Sequence, residues 1–142
     1  MKVTFFLCDA AQAVGGKLYI LGGGWNIAFA RGDQPYPMGL AINVQVPWNA
    51  TNERHTFKAA LVTEDGAPAL TPDEKPVEIG GEFDMGRPPG TKAGSSFNVP
   101  MGIQIALPLQ PGAYRWEISI DGTVMAEESF TVVPAGPVVP IG

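Results

Sequence analysis

The chain has 142 residues, of which 45% are hydrophobic and 16% charged, and this excludes a disordered chain and a charge-rich coiled coil. Nine basic and 14 acidic residues give a net charge of −5, so the chain lacks the basic footprint of a nucleic-acid-binding protein. Glycine (18) and proline (14) together are about twice as frequent as in average proteins, which favours short strands joined by turns over long helices.

Alternating apolar residues over 2–8 predict a first strand. Its second face carries Phe6 and Cys8, so we expect this strand to be covered on both sides. The alanine-rich residues 9–14 predict one helical turn capped by Asp9. Two further strands, separated by three glycines, are predicted over residues 17–21 and 25–29.

Six more strands are predicted further along the chain. Gly80 and Gly81 indicate a bulge within one of them, and Pro100 indicates a strand that begins at a sheet edge, because proline cannot donate a ladder hydrogen bond. Asp121 and Gly122 form the strongest hairpin signal in the sequence. The six strands cover residues 40–46, 54–63, 77–85, 97–107, 114–120 and 123–133.

The residues Leu109, Gly112 and Tyr114 fit the pattern Leu-x-x-Gly-x-Tyr, which resembles the tyrosine corner of Greek-key sandwiches. The alternative is a Pro-Gly turn before a strand that happens to begin with tyrosine. Eight or nine strands at this spacing predict an all-β fold, an antiparallel Greek-key (Ig-like) β-sandwich. We expect the sandwich to cover residues 1–133 and a Pro-rich C-terminal arm to cover residues 134–142.

Residues suited to catalysis or metal binding are scarce. The only histidine, His55, alternates in register with apolar residues, which indicates a structural role at the core or its rim; a hydrolase that uses His55 is a third functional hypothesis. Cys8 lies among apolar residues, which predicts a buried thiol with a raised pKa. One histidine and one cysteine cannot build a zinc site without carboxylates. We therefore predict no catalytic, cofactor-binding or metal-binding residue and no cofactor.

Two features indicate interaction surfaces. Aromatic residues occur in or beside loops, where they either form a binding platform or cap the ends of the sandwich. The uncharged arm has prolines at a period of three, which is typical of a polyproline II helix, and we expect it to be held by its own domain or by a neighbouring chain. The candidate interaction residues are Trp25, Tyr36, Trp48, Arg87, Pro134, Pro137, Pro140 and Ile141.

The apolar start of the chain ends at Asp9, which is too early for a signal peptide. No segment approaches the roughly 18 apolar residues of a membrane span. The sequence predicts a protein that is cytoplasmic or incorporated in an assembly, with no membrane or nucleic-acid partner.

The opening MKVTFFLCDAAQAVGGKLYILGGGW resembles an uncharacterised family of small bacterial proteins. The segments VPWNATNERHTFKAALVTEDG and GEFDMGRPPG are similar to the middle of that family, and the PGAYRW strand with its Asp-Gly hairpin is similar to its end. The resemblance implies no activity, cofactor or catalytic residue. It does imply that the KLYILGGGW and GRPPG segments matter for the function.

The first functional hypothesis is a non-enzymatic module for protein–protein interaction or assembly. It would be a self-assembling or accessory component, such as a decoration protein, of a larger bacterial or viral particle, and its partner would be another protein or a second copy of itself. The alternative is a β-sandwich that binds a carbohydrate or another small molecule through loop aromatics such as Trp25 and Trp48.

Overall fold

The computed structural model describes residues 1–134 and contains nine strands and one short 3-10 turn in that range. The alternating apolar residues of the sequence account for most of these strands, because successive side chains of a strand point to opposite faces of its sheet. The strands are β1 (Lys2–Val14), β2 (Lys17–Gly23), β3 (Ile27–Phe29), β4 (Tyr36–Val46), β5 (His55–Thr63), β6 (Glu78–Phe83), β7 (Phe97–Leu107), β8 (Gly112–Ile120) and β9 (Thr123–Val133); the 3-10 turn is Trp48–Ala50.

The strands form two sheets. The first sheet has the order β2-β1-β4-β7, and the second has the order β3-β9-β8-β5-β6. Pairing is antiparallel throughout both sheets except between β3 and β9, which run parallel. The predicted all-β fold of eight or nine strands is therefore confirmed, with nine strands in residues 1–134 and one parallel pair that the sequence did not indicate.

The core lies between the two sheets. Leu40, Ile42 and Val44 of β4 point into it from the first sheet and are fully buried. Trp116 and Ile118 of β8 face them from the second sheet, and the indole N–H of Trp116 points at the sulfur of Met38 at 3.4 Å. Burial of these large apolar side chains from both sheets is the main stabilising contribution to the fold.

The helical turn predicted over residues 9–14 is wrong. The strand β1 continues through Val14, first pairing with β4 from Lys2 to Cys8 and then with β2 from Cys8 to Val14. Cys8 and Ala11 are both buried, so the alternation of the strand breaks between them. At this break β1 leaves its path beside β4, and the β1–β2 hairpin folds back over the outer face of the first sheet. The expectation that β1 is covered on both sides is thus confirmed.

Two glycines make room for the folded-back hairpin. Gly39 of β4 lies against the main chain of Ala11: a Cβ atom at Gly39 would come 2.9 Å from the Ala11 nitrogen. Gly102 of β7 lies against Gln12, where a Cβ atom would come 2.7 Å from both the nitrogen and the Cα atom. Only hydrogen atoms fit in these gaps, so the close approach of main chain to sheet requires glycine at both positions.

Gln104 of β7 satisfies the main chain of β1 where the ladder to β4 has ended. Its side-chain amide donates to the carbonyl of Asp9 at 2.9 Å, and its side-chain carbonyl accepts from the amide of Ala11 at 3.3 Å. Because unpaired main-chain groups are costly when removed from water, this one side chain stabilises the bend in β1.

Several other boundaries differ from the prediction. The strand β4 begins at Tyr36, before the start predicted at residue 40, because Tyr36 and Met38 already pair with β7. Gly80 and Gly81 pair in unbroken register with β5, so the predicted bulge is absent from this strand. The prediction of an edge strand at Pro100 is confirmed, since β7 is the last strand of its sheet. Of the predicted arm, only Pro134 lies in the described part of the chain.

The tyrosine corner is present. The chain crosses from β7 in the first sheet to β8 in the second through residues 108–111. There the hydroxyl of Tyr114 donates to the carbonyl of Gln110 at 2.8 Å. Burial raises the pKa of the Tyr114 hydroxyl, so the hydroxyl remains a donor over the whole neutral range.

The close contact between Gly102 and the main chain of the hairpin predicts that Gly102→Ala lowers the stability of the fold. The new Cβ atom must displace the main chain of Gln12, which we expect to lower the free energy of unfolding by about 1–3 kcal/mol. Gly81→Ala is the matched control, because a Cβ atom at Gly81 meets nothing within 4 Å. Urea unfolding of both variants measures the difference. Equal unfolding midpoints would contradict the idea that the hairpin needs glycine at position 102 to pack on the sheet.

The tyrosine corner predicts that Tyr114→Phe lowers the stability of the fold, whereas removal of an exposed tyrosine hydroxyl does not. Loss of the hydrogen bond to Gln110 should lower the free energy of unfolding by about 1 kcal/mol. Tyr19→Phe is the control, because the ring of Tyr19 is exposed on the hairpin and its hydroxyl forms no observed hydrogen bond with any of residues 1–134. Chemical denaturation distinguishes the two, and a Tyr114→Phe variant as stable as the wild type would show that the corner adds nothing.

Candidate functional site

The outward face of the β1–β2 hairpin exposes three large apolar side chains. Leu21 is 72% exposed, Tyr19 is 56% exposed and Val14 is 50% exposed. All three project from one hairpin whose other face is packed on the first sheet. We call these three residues the hairpin face. Grouped apolar side chains on the surface are typical of a binding site, whereas single ones are common everywhere.

Beside these side chains runs an open groove of about 760 Å³, which we call the hairpin groove. The middle of the hairpin and the outer face of β7 form its walls. Among residues 1–134, no charged side chain lines it, and its polar side-chain groups are the amides of two glutamines and the hydroxyl of Tyr19. The lining residues are Ala10, Ala11, Gln12, Tyr19, Ile20, Leu21, Gly102 and Gln104.

The underside of the hairpin is anchored by a small second core. Cys8, Ala11 and Ala41 are buried there, and Phe6, Leu18 and Ile20 pack around them. Burial raises the pKa of the Cys8 thiol, and the nearby charge of Asp9 raises it further. The predicted buried thiol with a raised pKa is therefore confirmed, and Cys8 helps to hold the hairpin on the sheet.

Trp25 and Tyr36 lie together at one end of the sandwich. Their rings meet edge to face at 6.0 Å, and Trp25 also meets Phe130 edge to face at 6.1 Å. Phe130 in turn stacks on Tyr114 at 5.6 Å. The indole nitrogen of Trp25 is buried and has no hydrogen-bond partner among residues 1–134. These aromatic rings cap the core, which is one of the two roles expected for them.

Trp48 and Arg87 lie together at the other end. The guanidinium carbon of Arg87 is 3.9 Å from the centroid of the Trp48 ring, close enough for a cation–π contact. Arg87 also donates to the carbonyl of Trp48 at 2.9 Å and to the hydroxyl of Thr51 at 2.7 Å. Phe97 contacts the same tryptophan with a centroid distance of 6.2 Å. Arg87 thus fastens the loop after β6 to the 3-10 turn.

The predicted candidate residues therefore do not form one surface. Tyr36 begins β4, and Trp48 follows its end, so the length of that strand, about 35 Å, separates the two aromatic groups. Pro134 is exposed just after β9. Pro137, Pro140 and Ile141 lie outside the described residues.

His55 is buried and forms hydrogen bonds through both ring nitrogens. Its Nε2 atom lies 2.8 Å from the carbonyl of Ala50, and its Nδ1 atom lies 2.7 Å from a carboxylate oxygen of Asp121. Both oxygens accept hydrogen bonds, so a doubly protonated imidazolium satisfies both contacts. The carbonyl of Ala50 and the carboxylate of Asp121 accordingly raise the pKa of His55.

Asp121 connects the β8–β9 turn to the start of β5. Its second carboxylate oxygen accepts from the amide of Thr56 at 2.9 Å, and its own amide donates to the carbonyl of Thr56 at 2.9 Å. The hydrogen bonds from His55 and from Thr56 lower the pKa of this carboxyl. Because the second ring nitrogen of His55 faces the carbonyl of Ala50, it is not directed at a nucleophile, as the histidine of a catalytic triad would be.

Within residues 1–134, no three histidine, cysteine, aspartate or glutamate side chains come together in a group that could hold a metal ion. In the same range, no helix has the length and apolar character needed to cross a membrane.

Comparison with models of known protein families assigns the chain to a family. A model of a family of unknown function, DUF6941, matches residues 3–133. The chain belongs to this family. The match confirms the resemblance to an uncharacterised family that the sequence motifs indicated. No curated protein matches the chain, so no activity is transferred from a relative.

The hairpin face was not predicted from the sequence, although β2 carries a signal for it. Leu18 and Ile20 point towards the sheet, while Tyr19 and Leu21 between and after them are apolar yet exposed. When a strand is apolar on both faces, each face needs a packing partner to remove it from water. Only one is present in the described part of the chain.

The ion pair predicts a pH-dependent stability. Folding raises the pKa of His55. Its contribution to the free energy of unfolding is therefore complete below the ordinary histidine pKa of 6.5 and is lost as the pH rises through the pKa of the folded state. The pKa of Asp121 is lowered by folding, so its contribution is complete above 3.8 and is lost in acid. The pair therefore stabilises the fold most between these two values.

Asp121→Asn tests this expectation, because asparagine tolerates the positive φ of 51° at this turn position but carries no charge. Titration of the His55 ring by NMR should give a lower pKa in the variant than in the wild type. The loss of unfolding free energy between mildly acidic and alkaline pH should shrink as well. An unchanged pKa of the His55 ring would show that Asp121 does not stabilise the protonated imidazole.

Proposed function

We propose that the chain is a non-enzymatic assembly module that associates with copies of itself through the hairpin face and the hairpin groove. As such it would serve as a structural or accessory component of a larger assembly. The observation that carries this proposal is the grouping of Val14, Tyr19 and Leu21 on one hairpin, where they are at least half exposed beside an uncharged groove. Contact between apolar surfaces would remove this area from water.

The rigidity of the hairpin supports the proposal. Gly102 and Gln104 of β7 and the small core beneath the hairpin fix its position relative to the sheet. A surface that is already ordered loses little conformational entropy when a partner binds. A hairpin of this kind is therefore suited to repeated contacts in an assembly.

The carbohydrate-binding alternative receives less support from the geometry. Arg87 covers the ring of Trp48, and the ring of Trp25 packs on Tyr36 and Phe130. A sugar needs an open aromatic face on which to stack. Both tryptophans that this hypothesis invoked are instead engaged within the chain.

We also infer an Ig-like Greek-key topology for the sandwich. The neighbouring strands β1, β4 and β7 take the places of strands A, B and E in one sheet of an Ig domain, and β5, β8 and β9 take those of C, F and G in the other. The tyrosine corner at Tyr114 supports this correspondence, because β8 then corresponds to strand F, where that corner occurs. The β1–β2 hairpin is an addition to this scheme.

Leu21→Lys tests the assembly function. Multi-angle light scattering on a sizing column, run over a range of concentrations, should show the full-length wild-type chain as an oligomer. A lysine in the hairpin face would have to be desolvated in the contact, so we expect dissociation to occur at concentrations at least about tenfold higher than in the wild type.

Leu70→Lys is the matched control, because Leu70 is 57% exposed and lies in the loop between β5 and β6. This variant should associate as the wild type does. A wild-type chain that stays monomeric at every concentration would rule out self-association. Equal effects of the two lysines would show that the hairpin face is not the contact.

A further inference from the structure

The hairpin groove has a chemistry that selects for its occupant. Apart from Gln12, Gln104 and the hydroxyl of Tyr19, its lining among residues 1–134 is apolar and carries no charge. The exposed ring of Tyr19 and the side chain of Leu21 stand at its edge. A groove of this kind favours an uncharged, apolar and extended chain, because a charged segment would lose hydration without gaining an ionic partner.

The segment 134–142 of the same sequence matches that requirement. It reads PAGPVVPIG and contains no charged or polar side chain. Its prolines at 134, 137 and 140 favour a polyproline II helix with one proline edge and with valine and isoleucine side chains beside it. Such helices bind in grooves lined by aromatic residues at low entropic cost, because they are extended before they bind.

We propose that residues 134–142 of one copy occupy the hairpin groove of a second copy. This inference rests on the proposed self-association and identifies the segment that mediates it.

The position of the end of β9 favours the groove of a second copy. Val133 pairs with Phe29 at the edge of the second sheet, whereas the hairpin groove lies on the outer face of the first sheet. To reach its own groove, the chain would have to turn around the rim of the sandwich, across sheets about 10 Å apart.

The prolines of the segment oppose such a turn. A residue that precedes proline favours extended conformations, and the β-branched Val139 before Pro140 makes a tight reversal there unfavourable. Nine residues in polyproline II conformation span about 28 Å. This span is more than twice the separation of the two sheets, so the segment is long enough to extend beyond the domain that carries it.

Site-specific cross-linking of the full-length chain tests the proposal. One variant carries Leu21→Cys at the groove, and a second variant of distinguishable mass carries Ile141→Cys in the segment. The native Cys8 is fully buried, and the wild-type chain serves as the control for its reactivity. The two variants are mixed and then oxidised. We expect the mixed disulfide to exceed either self-pairing by at least about tenfold, because binding raises the local concentration of the two thiols.

Leu70→Cys replaces Leu21→Cys in the matched control, since Leu70 is also more than half exposed but lies away from the groove. It should cross-link to Ile141→Cys no more than random collision allows. Equal yields from Leu21→Cys and Leu70→Cys would overturn the proposal.

Other outcomes separate this inference from the function on which it rests. If the Leu21→Cys variant cross-links mainly to itself, hairpin faces meet each other, so self-association stands and the inference is wrong. If a chain carrying both cysteines forms its disulfide internally at high dilution, the segment binds its own groove and the inference is also wrong. If light scattering finds monomers and no cross-link forms, both proposals are wrong.

Discussion

The close approach of the main chain of β1 to Gly39 and Gly102 is the constraint on which the rest of the structure depends. It allows one strand to belong first to the sheet and then to a hairpin that lies across the sheet. With a side chain at either position, the main chain could not come so near, and the contacts beneath the hairpin would open. The exposed face and the groove beside it exist because two neighbouring strands present almost no side-chain volume there.

Much of the fold could be predicted from the sequence because it follows from local patterns. Period-two alternation gave β7 and β9 their correct bounds, Asp121 and Gly122 marked the last hairpin, and Tyr114 marked the crossing between sheets. Residues 9–14 were different, because alanines favour a helix locally, whereas pairing with β2 and packing on the sheet determine their actual state. Such tertiary effects override weak local preferences.

The hairpin groove was harder to predict because the hairpin residues that line it are far in sequence from Gly102 and Gln104 of β7, and contacts elsewhere in the fold show the same separation. His55 and Asp121 are separated by 66 residues, and only the pairing of β5 with β8 brings them together. The loop aromatics looked alike in the sequence, yet the strand β4 places them at opposite ends of the molecule. The structural role of Gly102 could not be predicted either, because it depends on β1 passing over that position in the folded chain.

The bend in β1 has one more consequence. Immediately after β2, the amide of Gly24 donates to the carbonyl of Leu7 at 3.0 Å, and the next residue, Trp25, enters the aromatic cluster at the end of the core. The covalent chain thus joins the hairpin directly to a tryptophan with two aromatic neighbours. A displacement of the hairpin would change the surroundings of that indole, so the molecule contains its own optical reporter of events on its outer surface.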